Sequence, residues 1–269
     1  MVLKATTIFI IAICLCAAVF AFNTLDWIIR FFSGVKPGVT LDGIEMSRLL
    51  EDEVSENVLK IAEIINHQPI NARYDKMTDT IESEIPGLQV DVRATVEAVM
   101  NAESKTDVNI VLTILEPEIT EEIFRSINNK IAVFSTSGGG GGGRTDNLYI
   151  SAKYMNGTIL APGDVFSFNN VTGPRTLARG YSMAPIVGGM GIGGGVCQVS
   201  TTIYNTALIA KMEIIERYPH SIRVYYVPEG KDASVTNYAD FKFRNSTDKY
   251  IQIRSGAGGG HVWVQIWSQ

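Results

Sequence analysis

The stretch Gly188–Asn205, "GGMGIGGGVCQVSTTIYN", places six glycines in eight residues directly ahead of Cys197. Glycines let a backbone turn tightly and approach a substrate with no side chain in the way. They also let consecutive N–H groups point into one concavity. The residues after Cys197 read as a helix, and a helix start favours thiolate over thiol. Free N–H groups of Gly193, Gly194, Gly195 and Gln198 then suit an oxyanion on an attacked carbonyl. A bare loop, a thiol and a helix start are the parts of a cysteine acyl-transfer site. Other readings compete. Gly189, Gly191 and Gly194 fit a dinucleotide pattern but lack a surrounding βαβ repeat. A phosphate loop would end in Gly-Lys-Ser/Thr, where this chain has Val196-Cys197. A tight strand–helix turn with Cys197 buried as a small apolar residue is the bland alternative. The residues alone leave reactive and inert thiol open.

A thiol nucleophile needs a base. His220, in "ERYPHSIRVYY", lies 23 residues beyond Cys197 at the start of an expected strand. His261, after "GAGGG", is the second choice, and His67 follows a helix end. Asp232, Asp240 or Asn237 could orient the imidazole. No histidine sits at ligand spacing from Cys197, so neither a metal nor a cofactor is expected. No nucleic-acid partner is expected either.

The elements that must position these residues divide into two halves. Residues 1–136 hold 20 acidic and 11 basic side chains, and residues 137–269 hold 8 and 12. Between them, "STSGGGGGGRT" reads as a flexible Gly-rich linker over 135–146 or as a loop inside one domain. The fold class is α+β. In the first half, Leu50, Val54, Val58, Ile61 and Ile65 form a helical stripe. Val92–Ala102 reads as a second helix capped by Asp91, and Thr120 as the cap of a third. "VNIVLTIL", Val108–Leu115, reads as one strand. The second half reads as mostly β, with "SIRVYYVPEG", "DFKFRN", "YIQIRS" and "HVWVQIWS" as strands. Its one prominent helix starts at Cys197, with Val199, Ile203, Ala207 and Ala210 facing inward.

The N-terminus sets the expected location. Ala5–Phe22 carries no charge and is about the minimum length for a membrane span. Apolar character continues to Phe32. The reading is an uncleaved signal anchor over residues 1–32, a single pass through the cell membrane, with the bulk of the chain extracytoplasmic. Cleavage near Ala21 is the rival. Cys14 and Cys16 are then small apolar residues facing lipid.

The second half resembles the VanW family. The matching stretches are "LAPGDVFSFNNVTGPRT", "GIGGGVCQVSTTIYNTAL", "ERYPHS", "YYVPEGKDASV" and "DFKFRN", collinear from Asn147 to Ile253. The resemblance implies a VanW domain over 147–269. It also implies a peptidoglycan-binding module over 40–134. Some clostridial members are L,D-transpeptidases with a catalytic cysteine, which falls on Cys197, and the family's histidine falls on His220. The implied substrates are peptidoglycan stem peptides. Cys197 would attack the carbonyl of the third stem residue, His220 would protonate the departing D-alanine amine, and a neighbouring stem amine would take the acyl group. The residues of "GPRTLARG" leave two readings open for Arg175 and Arg179: binding of stem carboxylates, or a solvated basic loop. A papain-like peptidase or amidase on the same peptides, or a non-catalytic wall-binding protein, are the alternatives.

Overall fold

The computed structural model describes residues 2–75, 78 and 80–269. Inside its first helix the side chains of residues 2–8, 11, 14, 16, 18 and 19 lie outside that description, and so does the expected lipid-facing role of Cys14 and Cys16. In chain order the first elements are α1 (Val2–Ser33), β1 (Thr40–Leu41), β2 (Ile44–Glu45), α2 (Glu51–Ile65), β3 (Arg73–Asp75), β4 (Thr80–Glu82), β5 (Gly87–Val90), α3 (Val92–Asn101), β6 (Asp107–Val108), β7 (Leu112–Leu115) and α4 (Glu121–Ser126). There follow β8 (Asn129–Ser137), α5 (Gly143–Met155), β9 (Ile159–Leu160), β10 (Val165–Ser167), α6 (Phe168–Thr172), β11 (Met183–Ile186), β12 (Gly189–Ile192), α7 (Val196–Ile209), β13 (Glu213–Glu216), β14 (Lys242–Arg244), β15 (Ile251–Gly258) and β16 (His261–Ser268). They form two compact units. The first takes Met1–Ile70 and Ile85–Pro117, the second Asn71–Glu84 and Glu118–Gln269.

In the first unit, α2 and α3 pack through Val54, Val58, Val96 and Val99. Asp91 caps α3 by accepting from the Ala94 amide at 2.9 Å. The expected strand Val108–Leu115 is two strands. β6 pairs parallel with β1, and β7 pairs antiparallel with β5, so the chain must change partners between them.

The expected N-terminal transmembrane anchor is corrected. Among the described residues no helix is long and apolar enough to cross a membrane. The apolar run does not continue to Phe32 as one uninterrupted surface. Asp26 and Arg30 pair across one helical turn at 3.0 Å, and Arg30 also reaches Glu53 at 2.8 Å. That bond draws the Glu53 carboxyl down to about 2 and ties the end of α1 into the first unit. The single-pass membrane placement falls with the anchor.

The second unit is built on an antiparallel sheet of order β8-β16-β15-β9. The alternation in "HVWVQIWS" buries Val262, Val264 and Ile266 on one face. Helices α5 and α7 cover that face. A smaller sheet, β10-β14-β13, adds Phe166 and Phe243, stacked at 5.0 Å. A fully buried aliphatic side chain such as Ile203 contributes roughly 1.5–3 kcal/mol.

α7 is helical against its own propensities. "QVSTTIYNTAL" is rich in β-branched and hydroxyl residues, which favour helices weakly in isolation. Burial on nearly every side compensates, and the polar groups are absorbed locally. Thr202 donates to Gln198 O at 2.7 Å, and Thr206 to Thr202 O at 2.8 Å.

The glycine run lies inside the second unit rather than between units. Ser135–Ser137 end β8 paired with Trp263, Val262 and His261, and Gly143 opens α5. A Cβ on Gly143 would sit 2.3 Å from Met183 O, and one on Gly138 2.4 Å from Gln198 Oε1. α5 itself was not expected. Its buried residues include Asn147 and Ser151, which blur any apolar stripe.

Candidate active site

Gly195 is the cap residue just before α7, and its φ of +99° suits glycine. Cys197 is therefore in the first turn, where backbone amides have no partner inside the helix. Asn147 on α5 fixes the approach. Its Nδ2 donates to Ser182 O and Gly194 O, both at 3.0 Å, and its Oδ1 accepts from the Ser182 amide at 2.7 Å. A Cβ on Gly194 would lie 2.5 Å from Pro185 O. The bare loop thus lets the β11–β12 hairpin close against the helix start.

Cys197 lines a cleft of about 780 Å³ whose walls include Gly193–Gly195, Ile186, His220, Tyr226 and Asn237. A larger open groove of about 1090 Å³ lies in the first unit along α2 and α3, but neither cysteine nor histidine lines it. Volume alone does not mark the site.

His220 and Asp232 form a fixed pair. Asp232 Oδ2 lies 2.7 Å from His220 Nδ1 and accepts from the His220 amide at 2.6 Å. Arg217 holds the other carboxylate oxygen at 2.9 Å. With Nδ1 engaged, the Nε2 edge is left for the thiol. Burial pushes the Cys197 thiol up, but hydrogen bonds from His220, the Val235 backbone and Ser234 outweigh it, and the thiol sits below its ordinary value. Burial also pushes His220 down, and its contacts with Cys197 and Asp232 raise it above the ordinary histidine range. Burial raises Asp232, while His220 pulls it to a net lowered value. The thiol also lies 3.5 Å from Val235 O, to which it donates. The shifts bring the thiol and imidazole closer to exchanging a proton beside a carboxylate, an arrangement able to attack a carbonyl and protonate a leaving amine.

Other expected residues fall elsewhere. Asp240 is not an orienting group, because it caps a turn, accepting from Ser167 Oγ at 2.6 Å and the Asn169 amide at 2.9 Å. His261 Nδ1 lies 3.1 Å from Ser137 Oγ, and His67 bridges to Leu88. Arg175 lines the cleft, but Arg179 does not. Arg179 stacks 4.4 Å over Tyr154 and donates to Thr172 O. Gln198 is unavailable as an oxyanion donor. Its amide donates to Gly195 O, and its side-chain Nε2 bonds Thr136 and Gly260 O. Its Oε1 accepts from Arg144 at 2.7 Å. Gln198→Ala should therefore cost about 3 kcal/mol, since several buried groups lose partners at once. The urea midpoint of the second unit would fall with an unchanged slope.

Two cleft residues escaped the sequence reading. Arg144 was hidden by the glycine run before it. Tyr226 lies in "SIRVYYVPEG", which is an irregular wall of the cleft and not the expected strand. Burial pushes the Tyr226 hydroxyl up to about 12, so it stays a neutral donor. Among the described residues no cluster of His, Cys, Asp and Glu suits a metal ion.

These features define an α+β domain whose helix-start cysteine faces a histidine–aspartate pair across a glycine-lined cleft. Residues 143–267 carry a VanW-like domain, matching the family described as VanW like protein. It is 36% identical over 162 residues to "Uncharacterized protein YoaR" of Bacillus subtilis (strain 168), covering 56% of this chain and 52% of that protein. It is 31% identical over 122 residues to "Vancomycin B-type resistance protein VanW" of Enterococcus faecalis (strain ATCC 700802 / V583), covering 40% of this chain and 42% of that protein. The chain spans about half the length of the curated relatives it matches. No solved structure matches it significantly.

Proposed function

We propose that the second unit is a cysteine acyltransferase acting on cell-wall stem peptides, an L,D-transpeptidase. The Cys197–His220–Asp232 line carries this reading, supported by the depressed thiol and the raised imidazole. The Cys197 thiolate adds to the carbonyl of the third residue of a stem tetrapeptide. The Cys197 backbone amide, in the first turn of α7, receives the oxyanion. The C–N bond breaks, and the departing D-alanine amine takes the proton from the His220 imidazolium. A thioester remains on Cys197. The amine of a neighbouring stem peptide attacks it, His220 accepts that amine's proton, and the thiolate is regenerated in a new amide cross-link. One relative, named for vancomycin resistance, supports a cell-wall role but names no reaction.

The test is incubation of the full chain with a defined stem tetrapeptide and mass spectrometry of the products. Free D-alanine and a cross-linked dimer are the expected products. Loss of D-alanine with no dimer would make the protein a peptidase, which needs the same residues but lets water take the thioester. An unchanged tetrapeptide and unmodified Cys197 would overturn the enzymatic reading.

A further inference from the structure

We infer that Arg144, together with Arg175, grips a free carboxylate of the donor peptide and so makes this cleft select peptide ends over peptide interiors. The inference rests on the acyl-transfer reading of the same cleft.

The charge inventory of the cleft is one-sided. Arg144, Arg175 and His220 line it, and among the described residues no aspartate or glutamate does. Neither arginine makes an ion pair among the described residues, and only the Asp240 carboxylate acts on Arg175 from a distance. Arg144 bonds the neutral Gln198 oxygen at 2.7 Å. Arg175 donates to Thr236 O at 3.3 Å and to Asn169 Oδ1 at 2.6 Å. Arg144 Nη1 and Arg175 Nε are buried and have no hydrogen-bond partner. A guanidinium offers five N–H donors and keeps its charge at any working pH, so both sites hold donors and charge that the protein leaves unmatched. Half-buried cations without counter-charge are costly, and a ligand carboxylate offsets that cost.

Their placement makes the pair selective. The Arg144 group lies against Gly195, where an added Cβ would come within 2.8 Å of Nη1. Arg175 lies against Gly193, where an added Cβ would meet its Cβ at 3.1 Å. The two arginines therefore bracket the three glycines that lead to Cys197. A peptide laid along those glycines, with its attacked carbonyl at the thiol, brings a carboxylate within about one residue of the scissile bond to this pair. A chain that continues as an amide brings no charge there.

The experiment measures binding, so that it does not depend on turnover. Cys197→Ala protein is titrated calorimetrically with a synthetic tetrapeptide ending in D-alanine, once as the free acid and once as the carboxamide. The acid should bind roughly tenfold or more tightly, the size of one charged hydrogen-bond set. Arg144→Gln in the same background should bring the acid-to-amide ratio close to one, and Arg144→Lys should restore part of it. A variant that is merely misfolded weakens both peptides and keeps the ratio. Equal binding of acid and amide, or an unchanged ratio in Arg144→Gln, overturns the inference. If the acid is preferred but wild-type protein forms no thioester with it, the carboxylate site stands and the acyl-transfer reading fails.

Discussion

Cys197→Ala will form no thioester and release no D-alanine from a stem tetrapeptide, and Cys197→Ser will recover less than about 0.1% of wild-type turnover. The two substitutions separate chemistry from structure. Cys197 is half-buried at the helix start, and both replacements fit its space with little repacking. The melting temperature should therefore move by only a few degrees. Serine fails because its hydroxyl ionises far less readily than a thiol. The site is arranged to stabilise an anion on sulfur, through His220 and Ser234, rather than to strip a proton from oxygen. Wild-type protein mixed with donor should show a mass increase on the peptide containing Cys197, removed by hydroxylamine. Product formation by Cys197→Ala would reject Cys197 as the nucleophile and with it the mechanism.

Turnover by His220→Ala will fall roughly 10²–10⁴-fold, and by Asp232→Asn somewhat less, because a positioned general acid contributes on that scale. His261→Ala, altering a ring beside Ser137 outside the cleft, should change turnover less than about twofold. The pH profile carries the sign. The reacting form is thiolate plus imidazolium. The rate rises with pH as the thiol ionises, at a value held below the ordinary one. It falls again as the imidazolium deprotonates, at a value held above ordinary histidine. Asp232 is one of the groups that raises His220, so Asp232→Asn should move the alkaline limb to lower pH. Steady-state rates across the neutral range would show this. An alkaline limb that stays in place means that Asp232 does not act through His220.

The groups of the candidate site were legible in the sequence because each carries a local signature. A thiol after a glycine-rich loop, a histidine in "ERYPHS" and a nearby aspartate need no tertiary information to be noticed. Choosing Asp232 over Asp240 did need it. Asp232 reaches the imidazole, whereas Asp240 serves the turn at Ser167 and Asn169. The helix α7 was legible from its inward stripe, and the strands β15 and β16 from their alternation. The wall around Tyr226 alternates in the same way, yet no strand pairs with it, and pattern cannot supply a missing neighbour. α5 failed the opposite test. Asn147 is buried to hold Ser182 and Gly194, so a polar residue occupies what a stripe would give to an apolar one. Arg144 was invisible because its partner, Gln198, lies 54 residues away. At the N-terminus, composition suggested a span, but the ion pairs of Arg30 show the end of the helix bound to the first unit.

The six glycines ahead of Arg144 look like the least informative letters in the chain. A Cβ at Gly138, Gly140 or Gly143 would strike neighbours at 2.4, 2.8 and 2.3 Å, whereas Gly139, Gly141 and Gly142 have open space but left-handed backbones. Backbone excludes a side chain at Gly140 and Gly143, one at Gly138 would displace the Gln198 amide, and handedness discourages one at the other three. A stretch that any complexity measure would discard as padding thus admits almost no alternative spelling. Its monotony records six separate constraints that happen to share one answer.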